Sequence, residues 1–457
     1  MKRTRLERAL SIFTDVRPGE GPTALLMFAN VFLILCAYYF IKPLRDGWLA
    51  GEQIQGFETT IRPYSNFVQV LILIPVVSIY GRLSTRWRGS DLIARSTLFC
   101  ITNLLVFWLL WPGFLVDFIP GSGLAFYLWV GMFSVFVVAQ FWTFAADLYT
   151  DERGRRLMPL IMIGANAGGA FGADLLSRLV STDGFPRHML LLLAMLPLLA
   201  SIALSRLAER RGALGEGFAR APDEPEESGR ARGSIGTVLS DRFLLLVGML
   251  TLLVFWVITN GENLLWKVIQ EVLEVEAAGA GLSNEARRQF IQTGTSEFYG
   301  GFYSQVNLAT LLLQALVASR MLKYGGFATI LLALPVVSLM SYATMALVPV
   351  LAVIKIMKIA ENSTNYSLNN TARHVLWLPA TPRMLYKGKP TIDTLFVRAG
   401  DGLAALTTLV GVQILALATD TLFAVNVVLV VVWLAVAWGV VRQHRRLARR
   451  TSADAAR

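Results

Sequence analysis

Five polar residues recur at helical spacing inside an apolar stretch of the chain. The segment VIKIMKIAENSTNYSLNN places them at steps of three and four, at Lys355, Lys358, Asn362, Asn365 and Asn369. On a helix, this spacing produces one continuous polar stripe. Because such a stripe would be costly against lipid, we expect it to line a water-filled path or to pack against other polar helices.

Glu361 leaves two interpretations of this stripe open. It follows Lys358 by three residues, so the two charges can neutralise each other in an internal ion-pair network. In the other interpretation the lysines attract an anion and the asparagines hydrogen-bond its polar groups. We favour this substrate path, for which the predicted binding residues are Lys355, Lys358, Asn362 and Asn365.

Charges also interrupt two other apolar stretches, where each costs about 2.5–3.5 kcal/mol in a membrane. The stretch ANVFLILCAYYFIKPLRDGWLAG contains Lys42, Arg45 and Asp46, and TNGENLLWK contains Glu262. We expect the first helix to continue past a kink at Pro43 and to hold its charges in the outer half of the membrane. The alternative is that these long side chains extend to the outer surface, with Arg45 and Asp46 paired.

Four of these residues are cations that suit a multiply charged anion. Lysine is a compact point charge, and arginine is a bidentate fork for phosphate or carboxylate. Lys42 and Arg45 therefore join the predicted binding residues. The predicted coupling or gating residues are Asp46, Glu262, Glu361, Arg398 and Asp401.

Arg398 and Asp401 lie in TIDTLFVRAGDGLAAL, which also contains Asp393. Arg398 is five residues after Asp393 and three before Asp401, so Asp401 is the better partner on a helix. A structural lock and a substrate contact remain equally open for this pair.

The composition excludes most soluble enzymes. The chain has 457 residues, of which 55% are hydrophobic and only 16% charged. Soluble domains have about 25% charged residues. The net charge of +11 would otherwise suggest nucleic acid, but the basic residues fall in short segments between apolar runs. We therefore expect a membrane protein that is not an enzyme, has no cofactor and binds no nucleic acid.

The apolar runs predict an all-α polytopic membrane protein with about twelve transmembrane helices. The polar stretch ARAPDEPEESGRARGS divides them into two sets of six. We predict an N-terminal half over residues 1–207, beginning with an amphipathic segment, a cytoplasmic linker over 208–241 and a C-terminal half over 242–457. Two six-helix halves resemble the layout of major facilitator transporters, whose halves rock around a central site.

The basic segments predict the orientation. MKRTRLER, GRLSTRWRG, DERGRR, the linker and RQHRRLARR all fall on one side of the predicted membrane, whereas PGFLVDFIPGSG and LATDT fall on the other. By the positive-inside rule both termini are cytoplasmic. We expect a multi-pass protein of the bacterial cell inner membrane that works as a monomer in the lipid bilayer.

Three stretches together resemble the bacterial and plastid ATP/ADP translocases. YSLNNTARHVLWLPATPRMLYKGKPTID, followed by RAGD, is similar to the family's connection between the tenth and eleventh spans. FWTFAADLYTDERGRRLMPLIMIGANAGGAFG is similar to its connection between the fourth and fifth, and IKPLRD to its first-span motif. The resemblance implies a nucleotide exchanger whose first-span cations, Lys42 and Arg45, hold the phosphates.

The sequence departs from this family at three positions. Val130 lies near a family glutamate, Asp401 replaces a family lysine, and Asn263 occupies the register in which Glu262 would be expected. A lost cation and a gained acid suggest either a less charged substrate or proton coupling.

Three functions are therefore carried forward. The leading one is secondary active transport of an anionic, phosphorylated metabolite such as a nucleotide, by alternating access. The second is a proton-coupled carrier or exporter of another organic anion or amphiphile. The third is a non-transporting membrane scaffold or receptor.

Overall fold

The structure is a computed structural model, in which every secondary-structure element is a helix over the residues described. These residues are 4, 7–8, 14, 16–52, 54, 56–84, 89–112, 114–115, 119–149, 151–182, 185–213, 231–381 and 384–455. Most of the predicted N-terminal amphipathic segment and of the predicted linker lies outside them.

The helices before residue 240 are α1 Gly21–Ala50, α2 Ile61–Ser84, α3 Gly89–Leu109, α4 Ser122–Phe133, α5 Ala139–Leu148, α6 Asp151–Val180, α7 Met189–Ala213 and α8 Ala231–Ser240. Those after it are α9 Arg242–Gly279, α10 Asn284–Leu313, α11 Ser319–Leu347, α12 Leu351–Thr364, α13 Asn370–Leu376, α14 Lys389–Thr391, α15 Val397–Leu409 and α16 Thr419–Ala455. Wider π-helical turns join or extend several of them, at Ser134–Val138, Gln314–Ala318, Asn365–Asn369, Met384–Gly388, Ile392–Phe396 and Val410–Ile414.

Nine helical stretches within the described residues are long and apolar enough to cross a membrane. One of them, Asn284–Leu347, has 64 residues, and its backbone leaves the helical conformation at Gly326, where φ is 70°. That length allows two crossings. Together with α2 and the more polar α12–α13 stretch, these helices agree with the predicted all-α polytopic membrane protein.

The chain forms two compact units. Unit 1 comprises residues 1–53, 71–225 and 273–308, and unit 2 comprises residues 54–70, 226–272 and 309–457. Each unit takes segments from both of the predicted halves, and those halves remain a prediction.

In unit 1, α1 packs against α6 and α7, and glycines bring α1 and α6 close together. Gly164, Gly168 and Gly172 lie at steps of four on α6. A Cβ at Gly168 would lie 2.2 Å from the carbonyl oxygen of Phe32, and one at Gly172 would lie 2.2 Å from that of Cys36. This row of small residues therefore lets two backbones touch, as its spacing predicts.

In unit 2, α11 packs against α12 and α16. A row of polar side chains is buried beside them. The Asn260 side chain donates to Asn426 Oδ1 at 2.7 Å, and Thr408 Oγ1 donates to Asn260 Oδ1 at 2.7 Å. Mutual hydrogen bonding satisfies these groups inside an otherwise apolar packing.

Candidate functional site

A cluster of charged and tyrosine side chains surrounds the second half of α1 in unit 1. We call it the tyrosine-lined cluster: Lys42, Arg45, Asp46, Tyr38, Tyr39, Tyr127 and Tyr303. The helix continues through Pro43 to Ala50, as predicted, and therefore carries all three charged residues on regular backbone.

Arg45 and Asp46 form an ion pair inside the protein. The Arg45 Nη2 atom lies 2.9 Å from Asp46 Oδ1, and the two residues are only 6% and 0% exposed. The pairing that the surface alternative predicts is therefore present, and tertiary packing buries both of its side chains.

Tyrosines complete the surroundings of this ion pair. The Arg45 guanidinium carbon lies 4.2 Å from the centre of the Tyr127 ring, and the Tyr303 hydroxyl donates to Asp46 Oδ2 at 3.4 Å. Ring faces attract cations, so Tyr127 stabilises the arginine while Tyr303 satisfies the carboxylate.

Lys42 lies over three of these tyrosine rings. Its Nζ atom is 3.9 Å from the ring centre of Tyr303, 5.3 Å from that of Tyr39 and 5.9 Å from that of Tyr38. The side chain is half-buried. Ring faces attract cations, so these tyrosines stabilise the ammonium group of Lys42 inside the cluster.

A second cluster is buried in unit 2. We call it the four-helix cluster because α2, α9, α11 and α12 contribute to it: Arg62, Glu262, Ser338, Tyr342, Lys358, Glu361 and Asn362. The structure thus brings four of the predicted site residues together, namely Glu262, Lys358, Glu361 and Asn362.

Lys358 and Glu361 form the fully buried centre of this cluster. Neither side chain is exposed, and Lys358 Nζ contacts Glu361 Oε2 directly. Ser338 Oγ donates to Glu361 Oε1 at 2.9 Å, and the Tyr342 hydroxyl lies 3.0 Å from Glu361 Oε2. The internal ion pair that the sequence left open is therefore present.

Glycine allows this centre to pack against α9. A Cβ at Gly261 would lie 2.0 Å from the Tyr342 hydroxyl oxygen and 2.9 Å from Lys358 Nζ. Any larger residue at this position would displace the tyrosine or the lysine.

Glu262 lies at the edge of the four-helix cluster between two cations. Its Oε1 atom is 3.5 Å from Lys358 Nζ, and its Oε2 atom is 3.6 Å from Arg62 Nη2. Asn362 Nδ2 donates to Oε1 at 2.7 Å. At 16% exposed, the Glu262 side chain is more accessible than that of Glu361, which is fully buried.

The remaining predicted residues lie elsewhere in unit 2. Arg398 Nη1 is 3.2 Å from Asp401 Oδ2, and Thr259 Oγ1 donates to Asp401 Oδ1 at 2.8 Å. Asn365 accepts a hydrogen bond from its neighbour on the π-helical turn, since Asn369 Nδ2 donates to Asn365 Oδ1 at 2.8 Å. Lys355 is half-buried on α12.

A separate cleft in unit 2 contains an ion pair that was not predicted. Arg373 Nη2 lies 2.6 Å from Asp393 Oδ1, and both side chains are about one-third exposed. The cleft is also lined by Phe255 and Trp377. Arg373 and Asp393 belong to the segment that resembles the translocase connection.

Sequence reasoning missed Arg62 and the tyrosines. Arg62 is 5% exposed and lies 5.7 Å from the Trp266 ring, yet it stands alone at the start of an apolar run. Its charge comes before that run and does not interrupt it, so no signal set it apart from an ordinary flanking cation. No signal marks the tyrosines either, since 11% of the chain is aromatic.

No known protein-family model matches the chain, and no curated protein matches its sequence significantly. Solved structures do match its shape. A POT family transporter in complex with 5-aminolevulinic acid has 13% sequence identity and a TM-score of 0.60, covering 93% of this chain and 96% of that one. The fold is major facilitator-like.

Two further structures have this major facilitator-like fold. A mutant of the nucleoside transporter NupG matches with 12% identity and a TM-score of 0.58, covering 92% of this chain and 99% of its own. The human organic anion transporter MFSD10 matches with 15% identity and a TM-score of 0.56, covering 92% and 100%. At these identities the similarity establishes the fold of this chain.

Proposed function

We propose that the chain is a secondary active transporter that moves an organic anion across a membrane by alternating access. The observation that carries this proposal is the tyrosine-lined cluster, in which Lys42, Arg45 and Asp46 lie among tyrosine rings inside an apolar bundle. Charges inside membrane helices generally mark substrate or ion pathways. The major facilitator-like fold supports the same class of function.

In this proposal Lys42 and Arg45 hold the anion. Lys42 is the more accessible of the two, and the tyrosine rings fix its ammonium group without neutralising its charge. Arg45 contributes its field while its guanidinium stays paired with Asp46.

The four-helix cluster and the Arg398–Asp401 pair take the coupling or gating role in unit 2. In the four-helix cluster, Glu262 of α9 faces Arg62 of α2 and Lys358 of α12. Arg398 and Asp401 instead pair within α15, and Thr259 of α9 donates to Asp401. Loss of either Glu262 or Asp401 would therefore loosen contacts between helices. Lys355 and Asn365 remain proposed substrate contacts on the same stripe.

The nucleotide class rests on the resemblance to ATP/ADP translocases. ATP and ADP are therefore the first anions to test, followed by sugar phosphates and dicarboxylates. We further propose cytoplasmic termini, which the distribution of basic segments supports, and a monomeric carrier in the bacterial inner membrane.

Counter-flow into proteoliposomes tests the proposal. Vesicles loaded with one anion of the panel should accumulate the same labelled anion without any ion gradient, if exchange occurs. Uptake only under an imposed proton gradient would instead favour the proton-coupled carrier. A chain that moves none of these anions under either condition would contradict the proposal.

A matched pair of lysine variants tests the site. Lys323 also lies over a tyrosine, 5.4 Å from the Tyr324 ring, but it is exposed. Lys42→Ala should lower the transport rate at limiting anion by about 10- to 100-fold, because one charge-assisted contact is worth about 1.5–3 kcal/mol. Lys323→Ala should leave the rate unchanged, and equal effects of the two variants would remove Lys42 from the site.

A further inference from the structure

The four-helix cluster contains a set of donors suited to binding an oxyanion, and a carboxylate side chain of the protein itself occupies it. One guanidinium, one ammonium and one amide N–H converge on the Glu262 carboxylate, from Arg62, Lys358 and Asn362. These are the donors that bind carboxylates and phosphates in proteins. Lys358, Arg62 and Asn362 are 0%, 5% and 2% exposed.

The two acids of this cluster are held very differently. Glu361 is fully buried, contacts Lys358 directly and accepts a further hydrogen bond from Ser338. Glu262 is partly exposed, and its distances to both cations, 3.5 and 3.6 Å, exceed the 2.7–2.9 Å of a tight charge-assisted hydrogen bond, although it accepts a hydrogen bond of 2.7 Å from the neutral Asn362 amide. Of the two acids, Glu262 is therefore the more accessible and the less closely paired with the two cations.

Departure of Glu262 would change the charge of the site. Arg62 and Lys358 would lose a carboxylate that both of them now face. Another anion in its place would restore that negative charge beside the two buried cations, and loss of charge compensation inside a protein is costly.

We propose that Glu262 occupies an anion-binding site as an internal substitute, and that a carboxylate or phosphate group of the substrate displaces it onto Arg62, Lys358 and Asn362. The proposal rests on the proposed function only in taking the displacing anion to be the transported one. It adds a residue, Arg62, to the binding machinery and assigns Glu262 as a competitor for the anion.

Chemical rescue with formate tests the site without any transport. Glu262→Ala removes the internal carboxylate, and formate supplies one of similar charge and smaller size. At constant ionic strength, formate in place of chloride should raise the apparent Tm of the purified Glu262→Ala protein by about 2 °C or more, because a ligand of the native state stabilises it. The wild type should show no such rise.

The double variant Glu262→Ala/Arg62→Gln locates the effect. It should lose the formate response, since the guanidinium is gone. No effect of either formate or inorganic phosphate on Glu262→Ala, or an undiminished effect in the double variant, would overturn the inference. Inorganic phosphate in parallel shows whether this set of donors also accepts the larger oxyanion, and a response to either anion that Arg62→Gln abolishes supports the site.

A second variant covers the case in which Glu262→Ala does not fold. Glu262→Gln keeps the shape of the side chain and removes its charge, so the substrate meets a weaker competitor. The KM for the anion moved by the wild type should fall about tenfold, which corresponds to about 1.4 kcal/mol. An unchanged or higher KM contradicts the inference, whereas absence of transport by the wild type contradicts the proposed function.

Discussion

The tyrosine-lined cluster and the four-helix cluster bury charges in two different ways. In the first, the ion pair joins adjacent residues of one helix, Arg45 and Asp46, and Lys42 is surrounded by rings. In the second, the ions come from three helices, and the central pair is fully enclosed. The difference indicates that the first cluster keeps its ion pair within one helix, whereas the second also uses charge to join separate helices.

The largest expected effect separates the two clusters by stability. Lys358→Met removes the ammonium partner of Glu361 and leaves a fully buried carboxylate uncompensated, so we expect the free energy of unfolding to fall by about 3–5 kcal/mol. Lys42→Met leaves the Arg45–Asp46 pair intact and should cost less than about 1 kcal/mol. Thermal unfolding of both variants in the same detergent measures the difference.

The double variant Lys358→Met/Glu361→Leu provides the control for this prediction. Replacing both members of a buried ion pair by apolar residues is often neutral, so it should recover most of the stability lost by Lys358→Met. Equal losses in the two single lysine variants would remove the distinction between the clusters.

Removing one tyrosine hydroxyl from each cluster should have a smaller effect on stability and tests the same distinction. Tyr342→Phe removes a hydroxyl 3.0 Å from the buried Glu361 carboxylate, and we expect a loss of about 1.5–3 kcal/mol, the usual worth of a hydrogen bond to a charged group. Tyr303→Phe removes a longer contact of 3.4 Å to Asp46 and should cost about 0.5–1.5 kcal/mol. Denaturant or thermal unfolding checks the order, and a reversed order would contradict it.

The smallest expected effect on stability comes from an ion pair between Glu20, which directly precedes α1, and Arg156 on α6. In unit 1, Arg156 Nη2 lies 2.8 Å from Glu20 Oε1. Burial opposes ionisation of Glu20, but hydrogen bonds from Arg156 and the Arg17 backbone, with the charges of Arg156 and Arg153, hold its pKa below the ordinary 4.5. The folded state therefore binds this proton less readily than the unfolded state does.

The sign of the pH dependence follows from that shift. The stabilisation by Glu20 is complete above pH 4.5 and is lost as the pH falls through the lower pKa of the folded state. We expect less than about 1 kcal/mol, as for other pairs near water. Glu20→Gln should flatten the unfolding profile at acidic pH, and a profile unchanged by this substitution would contradict the assignment.

The helices were predictable because lipid demands long apolar runs and internally bonded backbone. The same rule made charges such as Lys358 and Asp46 conspicuous. Their partners were predictable only at short range: Glu361 follows Lys358 by three residues, and Asp46 is adjacent to Arg45.

Partners that are distant in the chain could not be predicted. Arg62 meets a carboxylate 200 positions later in the chain, at Glu262, through packing that no local pattern encodes. Tyr303 lies far in sequence from Lys42 for the same reason. The continuous stripe was also only partly realised, because a π-helical turn begins at Asn365 and changes the direction of the residues that follow.

That π-helical turn, Asn365–Asn369, makes the polar helix a jointed element instead of a rigid rod. A π turn accommodates one more residue than an α turn, and one residue corresponds to about 100° of rotation about the helix axis. If the turn tightened to α-helical spacing, α13, which carries Arg373, would rotate about the helix axis relative to α12, which carries Lys358. The backbone thus contains a built-in place for torsion between two sets of buried charges.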